Sequence, residues 1–273
     1  MRISIRHELR FAVGEATGHS VQHLLLTPAR TPSQDVIEWT IDMPGIGEAA
    51  SFTDAFGNRA HLVSQQRAEQ DLIITVSGVV ETSDTNGVVG RLPDDPNLAL
   101  FRRTTGQTRP NGNLVNRMRA HTKSGMSRLD VLHWLMTRLH EARDSAPGDE
   151  DEPPEIIAED HAHVFVAACR GMDIPARFVT GYLLAQEGGQ ARMHAWAEAW
   201  DDGLGWVGFD PATNLCPTQF HVRLAVGLDA ETSVPVRLVP TLDRATDDII
   251  ALDQILASQS QQQQTGSQTQ SGA

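Results

Sequence analysis

One change of hydrophobic period restricts the folds open to this chain. From about Ala158 to Arg170 the pattern is helical, and its central run Val164–Cys169 is apolar on nearly all sides, as in a helix buried against a sheet. Gly171 ends that helix and Pro175 prevents its continuation. The period then becomes that of strands: Ala176–Leu183, His194–Trp200 and Gly205–Asp210, the last two joined by the tight turn Asp201-Asp202-Gly203. Phe220–Val226 and Val234–Arg237 are expected to complete the sheet.

The N-terminal third has a different pattern. Ile3–Val13, Ser20–Leu26, Val36–Met43, Ala60–Gln65 and Leu72–Val80 read as short strands separated by turns, among them Asp54-Ala55-Phe56-Gly57-Asn58. The fold class is therefore α+β: an antiparallel β domain over 1–82, a turn-rich connecting segment over 83–112, and a core over 113–256 in which a buried helix packs on an antiparallel sheet. A packing helix spans Ser127–Arg143, with Ser127 and Asp130 as its cap. An acidic, proline-rich loop leads from it to Ile157. The tail 257–273, made of Gln, Ser, Thr and Gly, has nothing to bury and is expected to be disordered.

Charge and cysteine content exclude several functions. Twenty-two basic against thirty-five acidic residues give −13, which opposes general affinity for nucleic acid or anionic membrane and favours neutral or basic partners. Two cysteines in 273 residues make neither a disulfide framework nor a zinc signature, and no cofactor is expected. The charged N-terminus lacks the apolar core of a signal, so the cytoplasm is the expected compartment.

Three blocks carry chemistry: Ala158-Glu159-Asp160-His161-Ala162-His163, then His194-Ala195-Trp196, then Trp206-Val207-Gly208-Phe209-Asp210-Pro211. Together they resemble the core of the bacterial transglutaminase-like family, a branch of the papain-like cysteine proteases and acyltransferases. The N-terminal stretch, with Leu-Leu-Leu-Thr-Pro and Asp-Ala-Phe-Gly-Asn-Arg, resembles the β module that precedes that core. The resemblance implies a nucleophilic cysteine at position 158, a base at His194, an orienting acid at Asp210, and an acyl groove lined by Trp196 and Trp206. Position 158 is alanine, whose methyl group can neither ionise nor attack a carbonyl. Cys169 lies eleven residues on, about 16 Å along the helix, and Cys216 reaches the site only if its loop folds back.

His161 and His163, two apart on a helix, point about 200° apart and cannot share one ion, so no metal site is expected. Glu159 places a carboxylate beside position 158, which opposes a thiolate or oxyanion. The favoured reading is a pseudoenzyme that binds a peptide or protein in the old cleft. The alternatives are a working family enzyme seen as a Cys-to-Ala variant or using another nucleophile, and a hydrolase built on Glu159, Asp160 and Glu198. The resemblance also permits a place beside products of neighbouring ATP-grasp-like genes.

Overall fold

The computed structural model describes residues 1–12, 19–66, 71–145, 154–184, 191–241 and 248–255. Three antiparallel sheets and three helices fill it, which makes the fold α+β. Two four-stranded sheets form the N-terminal module. The first runs β13 (Ile249–Gln254), β1 (Arg2–Ala12), β6 (Asp71–Thr82), β3 (Gln34–Asp42). The second runs β12 (Val236–Val239), β2 (Ser20–Thr27), β5 (Arg59–Gln65), β4 (Ala50–Thr53). Strand β1 shows why they pack: Ile3, Ile5, Leu9 and Phe11 alternate inward and are buried against Leu24, Ile74 and Val76.

The core sheet is β11 (His221–Gly227), β8 (Ala176–Leu183), β9 (Arg192–Asp201), β10 (Gly205–Phe209), β7 (Val88–Gly90). Against it lie α2 (Arg128–Ser145) and α3 (Pro154–Gly171), and α1 (Gly112–Lys123) packs on those two helices. Phe165, Val166 and Cys169 of α3 meet Leu132 and Leu135 of α2 and Ala197 and Phe209 of the sheet in one buried cluster. Among the described residues no helix is long and apolar enough to cross a membrane.

Several sequence expectations change. Val234–Arg237 does not finish the core sheet: β12 pairs with β2, and β13 pairs with β1, so the chain returns to the N-terminal module after the core is built. The segment 83–112 is more than a connector, since β7 joins the core sheet beside β10 and Phe101 is wholly buried. Helix α1 was not expected; the Asn111 side chain caps it by accepting from the amides of Asn113 and Leu114. The α2 cap is the expected box, Ser127 Oγ accepting from the Asp130 amide while the Asp130 carboxylate accepts from Ser127. Helix α3 begins one turn earlier than Ala158, at Pro154, a residue whose fixed φ suits the first turn. The glutamine-rich tail 257–273 lies outside the described residues.

A buried ionic cluster ties the core sheet together. Arg177 of β8 faces Glu198 of β9 in register and donates to it at 2.6 Å, while Arg223 of β11 donates to the other carboxylate oxygen at 3.0 Å. The Arg177 guanidinium also reaches Asp95 and lies 3.9 Å from the centre of the Trp206 ring. Burial alone would raise the Glu198 pKa, but the two guanidinium groups outweigh it and hold the carboxyl below the usual range.

Candidate active site

The turn between β9 and β10 sets the geometry of the site. Asp201 Oδ1 accepts from the amides of Gly203 and Leu204, and Gly205 takes the positive φ of +81° that closes the hairpin. The register Phe209↔Ala197 then brings the end of β10 beside the middle of β9. His194 Nε2 donates to Asp210 Oδ2 at 2.7 Å, with both side chains wholly buried. The sequence-predicted pair is thus brought together.

A residue that sequence reasoning missed completes the cluster. His221, at the start of β11, donates from Nε2 to the same Asp210 oxygen at 3.2 Å, and Thr213 Oγ1 donates to it at 2.7 Å. The other Asp210 oxygen accepts from the Ala212 amide. Burial would raise the Asp210 pKa, but these hydrogen bonds and the two imidazoles hold it well below the usual carboxylate range. His221 Nδ1 accepts from the Thr218 amide, which fixes the proton on Nε2.

That tautomer bears on metal binding, because ligand atoms of His194, Asp210 and His221 lie within 4.8 Å of one another. A metal would need the Nε2 lone pair of His221 and would move its proton to Nδ1, straight against the Thr218 N–H. The cluster therefore suits a hydrogen-bonded triad and does not fit a metal cage. His163, half of the pair weighed for metal from the sequence, stacks on Phe178 at 4.6 Å and accepts the Ala230 amide at Nε2; burial lowers its pKa.

His194 Nδ1 is buried and has no hydrogen-bond partner among the described residues. In the sequence reading the nucleophile belongs opposite this nitrogen. Ala158 packs with Ala162, Phe178 and Ala195, the strand neighbour of His194, and is 1% exposed. Neither thiol stands in. Cys169 lies in the α2–α3 cluster with its pKa pushed far up by burial. The loop of Cys216 does fold back, Leu215 pairing with Asp210, yet its Sγ is 3.6 Å from His133 Nε2, and burial, helped by Asp84, pushes its pKa up to about 11.

The tryptophans pack rather than line the site's cavity. Trp196 stacks beside His194 and edge-on to His221, over Gly181. Trp206 is wholly buried between Phe101 and Trp200 and donates Nε1–H to Asp95. Neither indole borders the cavity beside His194. The acids of the third reading also separate: Glu198 is committed to two arginines and Asp160 is exposed, whereas Glu159 borders a cavity with His194.

That cavity, about 270 Å³, opens between the two modules. Leu9, Met193, Val234 and Pro235 give it apolar walls; Glu159, His194, His7 and Asp248 give it polar ones. His7 is buried and donates from Nε2 to Asp248 while Tyr182 O–H donates to its Nδ1. Glu159 has its pKa raised, by burial first and then by Asp160.

A buried helix on an antiparallel sheet, with a histidine and its orienting acid on adjacent strands, is the core of a papain-type acyl-transfer fold. Residues 148–211 match the transglutaminase-like superfamily core, and residues 3–81 match the bacterial transglutaminase-like N-terminal region, so the chain belongs to the bacterial transglutaminase-like family. The uncharacterized Mycobacterium leprae protein ML0607 is 24% identical over 272 residues, covering 90% of this chain and 95% of that protein. The structure of a Cytophaga hutchinsonii protein described as a candidate cysteine protease superposes with a TM-score of 0.67 at 19% identity, covering 94% of this chain and 92% of its own. That likeness concerns the fold.

Proposed function

We propose that this transglutaminase-like protein has lost thiol acyl transfer and serves as a binding module, holding a peptide or protein ligand in the cavity between its two modules. The surroundings of His194 carry the reading: a base held by Asp210 presents an unpartnered Nδ1, position 158 is alanine, and both thiols are engaged elsewhere. Bond breaking and recognition draw on different residues, so the cavity can outlast the nucleophile. Its apolar walls with Glu159 and Asp248 at the edge suit a neutral or basic side chain whose N–H or O–H donates to His194 Nδ1.

The test pairs two measurements. Amide hydrolysis and amine incorporation are assayed on a peptide panel, with none expected from the natural chain. Binding of the same panel is followed calorimetrically, with affinity expected to fall about tenfold in His194→Ala, the loss of one buried hydrogen bond to a polar ligand. Turnover by the unaltered chain would sink the inactive reading. Equal binding by His194→Ala and by Met193→Glu would place the ligand elsewhere.

A further inference from the structure

Glu159 and His163 stand one turn apart on the same face of α3, and both bear on the cavity beside His194. Glu159 lines it, whereas His163 holds part of its wall. That wall is the loop 228–235 between β11 and β12, from which Ala230, Val234 and Pro235 border the space. The loop is folded on itself: the Thr232 amide donates to Asp229 Oδ1, and Ser233 donates from its amide and its hydroxyl to the Asp229 carbonyl. It is tied to α3 where Arg170 donates to the Leu228 carbonyl at 2.9 Å and where the Ala230 amide donates to His163 Nε2 at 3.1 Å. Of those two attachments, the one at Ala230 borders the cavity.

An imidazole nitrogen accepts an N–H only while it carries no proton, so the Ala230 bond requires a neutral His163 with its proton on Nδ1. Protonation sets two N–H groups against each other. The ring has little room to turn away, being 7% exposed and stacked on Phe178 with 4.6 Å between ring centres. Around it stand Asp160 and Arg170 of α3 and Asp229 and Glu231 of the loop. Burial is the largest influence and favours the neutral ring; the three acids oppose it, Arg170 adds to it, and the net shift is downward from 6.5. By linkage, the released loop binds the proton more tightly than the attached one. The attachment is therefore complete above about pH 6.5 and weakens as pH falls below that value.

We propose that His163 is a proton-operated latch on the cavity wall: the neutral ring holds the loop 228–235 against α3, and protonation releases Ala230, so that the cavity lets go of its ligand in mild acid. The proposal rests on the reading of that cavity as the binding site and adds the regulation of that site. The other ties of the loop, Thr180 with Ser233 at 2.9 Å and the Leu25 amide with the Pro235 carbonyl at 2.8 Å, contain no group that titrates near neutrality, so they keep the loop on the protein while its Ala230 end moves. Glu159, whose pKa is raised by burial and then by Asp160, also gains a proton as pH falls. That removes a charge from the cavity edge and leaves the Ala230 bond in place, so the two effects separate by substitution at position 163.

Hydrogen exchange of the Ala230 amide in the full chain, followed by nuclear magnetic resonance and divided by the intrinsic rate at each pH, tests this without any ligand. Opening should rise by up to about 25-fold between pH 7 and pH 5, the limit for one proton taken up by a released imidazole of ordinary pKa. His163→Gln offers an acceptor that does not titrate and should keep the amide protected at both pH values, whereas His163→Leu should leave it exchanging fast at both. Binding of the peptide panel should weaken from pH 7 to pH 5 more steeply in the natural chain than in His163→Gln, whose remaining slope belongs to Glu159. A pH-independent Ala230 amide, the same rise in His163→Gln, full protection in His163→Leu, or equal binding slopes in the natural chain and His163→Gln would overturn the proposal. So would a proton found on His163 Nε2 at pH 7. Failure of every peptide to bind would instead remove the reading of the cavity as a binding site, while the Ala230 exchange still decides whether the latch exists.

Discussion

His221 and His194 donate to the same Asp210 oxygen, at 3.2 and 2.7 Å. One carboxylate thus orients an imidazole toward the cavity and anchors the first residue of β11, so the catalytic-type pair is also a structural tie of the core sheet.

Acid stability should report that tie. A carboxyl whose folded pKa is depressed stabilises the fold above its unfolded value of about 3.9, and the contribution is lost as pH falls through the folded value. Stability from Asp210 is therefore complete near neutrality and declines from about pH 4 downward. Asp210→Asn should cost about 3 kcal/mol at neutral pH, because it removes the buried charge and sets an NH2 donor against one of the N–H or O–H groups that the two carboxylate oxygens accept, and should flatten the loss between about pH 5 and pH 2. Urea unfolding at a series of pH values measures both. Identical acid slopes in the two proteins would exclude the Asp210 carboxylate as the source.

Restoring the thiol should not restore catalysis. Because α3 starts at Pro154, the amide at 158 lies past the four unsatisfied amides of the first turn, where a thiolate or oxyanion would gain most. Glu159 adds negative charge beside it. Ala158→Cys should gain at most a slowly alkylated cysteine and no amide release above the natural chain. Single-turnover acylation of Ala158→Cys by an activated ester, followed by hydrolysis, would show that the site lacked only its sulfur.

Much of the site was legible because its parts are locally encoded. His194 sits in a strand of regular alternation and Asp210 directly follows the next one across an Asp-Asp-Gly turn, and the turn fixes their separation. His221 was not legible: it follows a non-repetitive loop, and its approach to Asp210 depends on β11 pairing with β8, a contact between distant segments. The same reason misplaced β12, whose strand character was evident but whose partner β2 lies over two hundred residues earlier. Helix α1 was hidden because its cap Asn111 and first residue Gly112 fall at the end of the segment 83–112, read as a turn-rich connection.

Glu198→Gln should destabilise the fold by about 3–5 kcal/mol, since it leaves Arg177 and Arg223 without their shared counter-charge in a dry interior. A triple replacement, Arg177→Met, Glu198→Leu and Arg223→Met, removes all three charges and should recover a large part of that loss. Denaturant midpoints of the two proteins decide it. If the triple variant is no more stable than Glu198→Gln, packing of the Arg177 stem on Trp206 and Phe101 matters more than charge.

Gly181 lies opposite His194 in the β8–β9 register, and a Cβ there would stand 2.2 Å from the Val222 carbonyl oxygen and 2.6 Å from the Trp196 ring. The backbone contact cannot yield without shifting β11, the strand that carries His221, and the ring contact pushes Trp196 toward the two histidines. Gly181→Ala should therefore cost about 1–3 kcal/mol, the range for overpacking a filled core, and should disturb the His194–Asp210–His221 arrangement as well. Thermal unfolding gives the first effect. The second is read from the imidazole nitrogen resonances, which report which ring nitrogens carry protons: His221 should lose its fixed Nε2–H tautomer. Unchanged resonances in a destabilised Gly181→Ala protein would mean that β11 absorbs the strain without moving His221, and that the triad is more rigid than its contacts imply.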